Sequence, residues 1–318
     1  MAPSDLLDVT VVICSYSPDR WPDLLAAVES VRAQRPRPAE VLVVIDHHHD
    51  LLSRAATLDG VRAVPSSRRP GLSGARNTGV QEARSGIVAF LDDDAVAEPG
   101  WLGALCAPIL DGAAEVVGGR ADAVFPSGRP TWFPREFDWV VGCTYRGHPS
   151  GRVAIRNPIG CNMAFRADAL AQAGPFREDM GRIGARPLGC EETELCIRLV
   201  QRVPGARVIH QPAAVVRQRV PASRERVRYF LSRCYAEGLS KAMVARSVGR
   251  TEALSSERTY VRRTLPSGVI RGLADAARLR RPDGLARAAA ILVGFGATTL
   301  GFARGRLARA GPAYGGVE

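Results

Sequence analysis

The sequence predicts an α/β fold: a doubly wound, mostly parallel sheet followed by a helical, Arg-rich C-terminal extension. Three observations carry that prediction. From residue 9 short β-branched runs alternate with segments of helical periodicity, the pattern of parallel strands joined by crossover helices. The 318 residues are 46% hydrophobic and 24% charged, enough to bury one large core or two modest ones, which excludes a disordered or collagenous chain. The charge is also divided: residues 1–200 sum to −4 and residues 201–318 to +15.

Val9–Cys14 reads as the first strand, and Trp21–Gln34 as an amphipathic helix with Leu24, Leu25, Val28 and Val31 at core spacing. Val41–Ile45 is a second strand, Val61–Pro65 a third, Gly74–Arg84 a helix and Ile87–Leu91 a fourth strand, with another beginning at Val116–Gly119. Residues 125–160 are rich in Pro, Gly, Trp and Arg, as a loop-built part of a site would be. Helical pattern returns at Glu191–Arg202, and after Pro221 a basic amphipathic helix or pair of helices runs to about Arg250. Ala288–Ala303 is a 16-residue uncharged run between Arg287 and Arg304. It is shorter than the roughly 20 residues of a spanning helix. It is expected either to pack on the body or to lie on an anionic membrane surface.

Of the 43 basic residues 42 are Arg and one, Lys241, is Lys, a skew that reflects G+C-rich coding rather than selection for phosphate contacts. With no recognition motif beside the charge, nucleic acid is set aside as a partner. The seven cysteines show no C-x-x-C spacing and sit mostly in apolar runs, as reduced core thiols do. Acidic residues at the N-terminus argue against an export signal. The chain is read as cytoplasmic, and peripheral at the inner face of the cell membrane if its tail docks there.

Ligands of open parallel sheets bind at the carboxyl ends of the strands. Those ends carry Cys14-Ser15-Tyr16, Asp46 and Asp92-Asp93-Asp94. Three adjacent carboxylates repel one another unless a cation neutralises them, and hard oxygen ligands suit Mg²⁺ or Mn²⁺; the other reading is a solvated turn that caps the next helix. Arg76 near the head of a helix can meet a phosphate or pair with Glu82. Glu191 and Glu192 open a helix, where carboxylates are favoured, and either at a cleft mouth can act as a general base. His47-His48-His49 reads as a solvated loop, because consecutive residues in extended chain point to different sides.

The ordered set VVICSYSPDRWPDLLAAVESV, VLVVID, GLSGARNTGVQEARSGIVAFLDDD and GCEETELCIRL resembles the family 2 glycosyltransferases, inverting enzymes of the GT-A fold, over about residues 9–245. The resemblance implies a glycosyltransferase domain over 1–245, with a nucleotide-binding half to about 120, an acceptor half from 121 to 245, and an extension at 246–318. Ser15 and Tyr16 would line a base pocket, Asp46 would accept a hydrogen bond from the base, and Arg76 would lie beside the nucleotide. Asp92, Asp93 and Asp94 match the family's D-x-D element, with Asp94 on a divalent metal and Asp92 and Asp93 reaching ribose or the metal shell. Glu192 would be the general base, with Glu191 as the alternative. Two departures stand out. One carboxylate, Asp46, ends the second strand where the family often has two, and no His precedes Val220-Pro221. Gln218, water or nothing would complete the metal shell, or Arg217 or Arg219 would assist the diphosphate. Asn162 in GCNMAFR is read as a contact to donor sugar or acceptor, or as a buried amide holding backbone; Trp132, Trp139 and Tyr145 as acceptor-stacking or core aromatics. The implied donor is a nucleotide diphosphate sugar, the cofactor Mn²⁺ or Mg²⁺, and the acceptor a glycan, a lipid-linked or a small molecule. The alternative is a catalytically degenerate nucleotide-sugar-binding or regulatory module.

Overall fold

The computed structural model describes residues 5–182, 187–249, 255–279 and 282–308. The first half alternates strand and helix as the sequence predicts: β1 (Leu6–Ser15), α1 (Trp21–Arg32), β2 (Arg37–Ile45), α2 (His49–Ala55), β3 (Arg62–Pro65), α3 (Leu72–Glu82) and β4 (Ile87–Asp92). Then come β5 (Ala95–Ala97), α4 (Trp101–Leu110), β6 (Val116–Val124), β7 (Val153–Ala154), β8 (Asn162–Arg166) and α5 (Ala167–Ala173). The remainder is α6 (Glu191–Arg202), β9 (Val208–Arg219), α7 (Val227–Ser247), α8 (Ser255–Thr259), α9 (Leu265–Leu279) and α10 (Pro282–Leu307). The segment after Pro221, expected as one helix or two, is the single helix α7 after a short 3₁₀ turn.

Among the described residues nine strands form one sheet in the order β3-β2-β1-β4-β8-β6-β9-β5, with β7 on β9. Parallel pairs run through β3, β2, β1 and β4 and again between β6 and β9. β8 lies antiparallel between β4 and β6, and β9 pairs antiparallel with β5. The sheet is therefore parallel-dominated rather than wholly parallel. Alternation along the strands supplies two cores. Val9, Val11 and Ile13 of β1 face α1 and α4 in one cluster. Val12 faces the other way, with Phe90, Phe165, Leu195 and Leu199.

A third apolar cluster joins the tail to the loop-rich half: Phe133, Phe137 and Val140 pack with Phe230 of α7, Leu265 of α9 and Ile291 of α10. Here the structure corrects an expectation. α10 has 26 residues, not the 16 of its uncharged run, and by length and composition it is able to cross a membrane. Its small residues nevertheless seat it on the protein. Gly294, Gly301 and Gly305 are buried, and a Cβ on Gly301 would lie 2.1 Å from the Tyr235 carbonyl oxygen.

Candidate active site

The strand register assembles the site. Cys14 lies opposite Asp92 and Ser15 opposite Ile45, so Ser15, Asp46 and the acidic triplet share one edge, on both sides of β1 where the strand order reverses. Asp93 and Asp94 are almost fully buried. The Ser15 hydroxyl donates to Asp93 Oδ2 (2.7 Å), and Arg20 reaches Asp93 Oδ1 at 2.5 Å and Asp94 Oδ2 at 3.0 Å. Burial pushes the Asp93 carboxyl up to about 7 against the pull of Arg20, and burial raises Asp46 and Asp92 as well. The Gly71 amide donates to Asp46 Oδ2 (2.8 Å), while Asp46 Oδ1 is buried and accepts no hydrogen bond among the described residues.

β5 follows the triplet directly and pairs with β9, Ala95 opposite Gln218. That pairing lets the Gln218 amide donate to Asp94 Oδ1. Gln218 Oε1 is buried and accepts no hydrogen bond among the described residues, and Asp94 Oδ2 is buried with Arg20 at 3.0 Å and Arg224 at 3.7 Å as its ion-pair partners. Together with Asp92 they form a hard-oxygen set that fits a divalent cation. Among the described residues no three His, Cys, Asp or Glu side chains converge as a metal cluster, so an amide oxygen would have to complete the set.

Across the cleft Cys190 adopts a left-handed conformation (φ 68°) and turns the chain into α6, presenting Glu191 and Glu192. The two carboxylates are treated differently. Glu191 Oε1 accepts from Arg76 Nη1 at 2.7 Å, and Arg76, 2% exposed, also donates to the Gly160 carbonyl (2.8 Å) and lies 3.4 Å from Asp92 Oδ1. Arg76 is thus the tie between triplet and helix, and Glu82 pairs with Arg62 instead. Glu192 lines the cleft, and the Thr193 hydroxyl donates to it (3.3 Å). Burial, and then the charge of Glu191, pushes its carboxyl up to about 8.

These groups line one cavity of about 960 Å³ that runs from Tyr16 and Asp46 past the triplet and Glu192 to an apolar end at Trp139, Tyr260, Phe295 and Phe302. Its wall carries a buried charge network. Lys241 lies 3.0 Å from Glu237 and 2.5 Å from Glu257, Arg233 2.8 Å from Glu237 and Arg156 2.6 Å from Glu257. Burial alone would raise the Glu237 carboxyl; Lys241 and Arg233 outweigh it and hold the group well below the usual carboxylate range.

Comparison with known proteins gives the family. Residues 10–174 fit the family model described as Glycosyl transferase family 2. The chain belongs to this family. It is 31% identical over 243 residues to glucosyl-dolichyl phosphate glucuronosyltransferase of Haloferax volcanii, covering 75% of this chain and 77% of that one. It is 24% identical to the succinoglycan biosynthesis protein ExoM of Rhizobium meliloti, covering 74% of each. In fold it resembles the mannosyltransferase PcManGT of Pyrobaculum calidifontis, solved with GDP-Man and Mn²⁺. The TM-score is 0.61 at 20% identity, over 94% of this chain and 87% of the other. GalNAc-T7 with UDP, GalNAc and Mn²⁺ aligns at TM-score 0.50 and 16% identity, over 82% and 57%. The protein is a glycosyltransferase of GT-A fold.

Within this glycosyltransferase several expected residues lie elsewhere. Asn162 does not reach the cavity: its Nδ2 donates to the carbonyls of Arg120 and Ala214 (2.9 Å each), and Trp101 Nε1 donates to its Oδ1 (2.9 Å). The buried-amide reading holds because every polar atom of the side chain is already engaged. Trp132 packs edge-on to Phe230 (5.5 Å) outside the cavity lining, whereas Trp139 and Tyr145 line it. Arg217 and Arg219 are exposed, paired with Glu98 and Asp23. Besides Arg76, the arginines at the triplet are Arg20 and Arg224, and Arg182 also lines the cavity. His47 is bonded to the Arg68 carbonyl and His48 caps α2, as a loop reading requires. Sequence reasoning missed Arg20, Arg182, Arg224 and the lining from α9 and α10. Asn162→Ala should lower stability by about 2–3 kcal/mol, because it strands a buried donor and two carbonyls. Urea unfolding checks this, with nucleotide affinity unchanged in the refolded variant.

Proposed function

We propose that this glycosyltransferase moves a sugar from a nucleoside diphosphate sugar to a hydroxyl of a lipid-linked acceptor, with inversion at the anomeric carbon. The observation that carries the reading is the unequal carboxylate pair. Arg76 engages Glu191, and Glu192, in no ion pair among the described residues, lines the cavity that holds Asp92–Asp94. Asp46 Oδ1 suits a base N–H, and Ser15 and Tyr16 wall that end. Asp92, Asp94 and Gln218 would hold Mn²⁺ or Mg²⁺, which when bound neutralises the charge of the departing diphosphate. Asp93 keeps Arg20 in place through its own ion pair. Glu192 takes the proton of the acceptor hydroxyl as that oxygen attacks the anomeric carbon from the face opposite the diphosphate. The single displacement inverts configuration.

Two features support a lipid-linked acceptor: the apolar end of the cavity and the dolichyl phosphate substrate in the name of the Haloferax relative. The glycosides formed from α-linked UDP- and GDP-sugars should carry the β configuration by proton NMR. A first-formed α product would contradict the single displacement.

A further inference from the structure

The outer surface of the C-terminal helices carries an apolar stripe. On α10 Leu285, Leu292, Val293 and Leu300 are exposed, Leu292 by 60% and Leu300 by 63%, and Ile270 and Leu273 of α9 are exposed as well. At 3.6 residues per turn Leu285, Leu292, Leu300 and Leu307 fall within an arc of about 80°. That arc lies opposite Gly294, Gly301 and Gly305, which face the body. The stripe therefore points outward along the whole helix, and the helix cannot leave the body to span a bilayer without losing its seat on α7. Exposed arginines accompany it: Arg262 and Arg263 just before α9, Arg278 near its end, and Arg304 and Arg306 in the last turn of α10. Apolar stripes of this extent on a soluble surface mark interaction sites.

We propose that this face docks the enzyme on an anionic lipid bilayer, with α10 in the headgroup plane, its leucines in the acyl boundary and the arginines on lipid phosphates. Charge selects this occupant over a second copy of the chain, because a two-fold pairing of the face would set its same-sign arginine rims against each other. The same helix lines the active cavity with Phe295, Thr298, Thr299 and Phe302. Docking brings the apolar end of the cavity to the membrane surface, where the tail of a lipid-linked acceptor lies. The inference extends the lipid-acceptor reading, but its test does not use the reaction.

The full chain is floated with vesicles of phosphatidylcholine alone or with phosphatidylglycerol, at low and high salt. The wild type should float with the anionic vesicles, less so at high salt. L292E/L300E should weaken that binding by about tenfold or more, with unfolding temperature and nucleoside diphosphate binding unchanged. L110E/V200E, two exposed apolar positions on the body, should float like the wild type, and R304E/R306E should lose the preference for anionic lipid. Wild type that does not float, or L292E/L300E that floats equally well, overturns the proposal. So does a wild-type dimer, by size-exclusion light scattering, that L292E/L300E splits. Nucleotide binding with no flotation would leave the transfer reading intact and sink only this one.

Discussion

Glu192→Gln is expected to lower kcat for sugar transfer by about 10²–10⁴-fold, the contribution of a positioned general base, while the dissociation constant for the nucleoside diphosphate stays as in the wild type. The amide keeps the shape and cannot take a proton. The neighbouring substitution separates the two carboxylates. Glu191→Gln leaves Arg76, 2% exposed, without the charge of its 2.7 Å partner, and breaking a buried ion pair of this kind costs about 3–5 kcal/mol. Glu191→Gln should therefore show itself first as lost stability, and Glu192→Gln as lost turnover in a protein that unfolds normally. The pH profile carries the same assignment. A base must be ionised, and burial has pushed the Glu192 carboxyl up to about 8. The wild-type kcat/KM should climb with pH by about tenfold per unit below that value and level off above it. The residual rate of Glu192→Gln should lack this ascending limb. Steady-state rates from pH 5.5 to 9 read both effects.

Asp94→Asn is expected to remove about 3 kcal/mol of transition-state stabilisation, about 10²-fold in kcat/KM. Asp94 holds together most of the groups at the triplet. Its Oδ1 accepts from Gln218, and its Oδ2 faces Arg20 at 3.0 Å and Arg224 at 3.7 Å. The amide is isosteric but neutral, so it leaves Arg20 and Arg224 short of a counter-charge and gives a hard cation a much weaker ligand. The concentration of Mn²⁺ giving half-maximal rate should rise by about tenfold or more. A Mn²⁺ titration at fixed donor measures it, with Asp59→Asn, an exposed carboxylate outside the cavity lining, as the control.

How much of this site is readable from residues alone follows from what sets each position. Ser15, Asp46 and Asp92–Asp94 end apolar runs, and parallel pairing then brings the ends together, so their convergence is legible. Glu191 and Glu192 open an amphipathic helix whose bounds, Glu191–Arg202, match the periodicity residue for residue. The division of labour between them is not legible, because it depends on Arg76, 115 residues away in sequence. Gln218 meets Asp94 through the register of β5 with β9, a pairing of three residues that local pattern does not announce. Asn162 looks like a ligand contact because an Asn among apolar neighbours invites one; its partners, Trp101, Arg120 and Ala214, are known only once the sheet is closed. α10 is misjudged for a simpler reason. Asp283, Arg287, Arg304 and Arg306 lie inside the helix, so counting only uncharged residues cuts it short at both ends.

The central claim is that strand-end carboxylates and Glu192 form one nucleotide-sugar site with separate duties for binding and proton transfer. Thermal unfolding of the wild type, Glu192→Gln and Asp94→Asn, each with UDP, GDP or dTDP and with or without Mn²⁺, tests it most directly, since a ligand that binds only the folded state raises its melting temperature. At least one nucleotide should stabilise the wild type and Glu192→Gln alike and only with Mn²⁺ present, while Asp94→Asn should need about tenfold more Mn²⁺ for the same shift. A shift in none of them, or one that Asp94→Asn shares in full, would contradict the account.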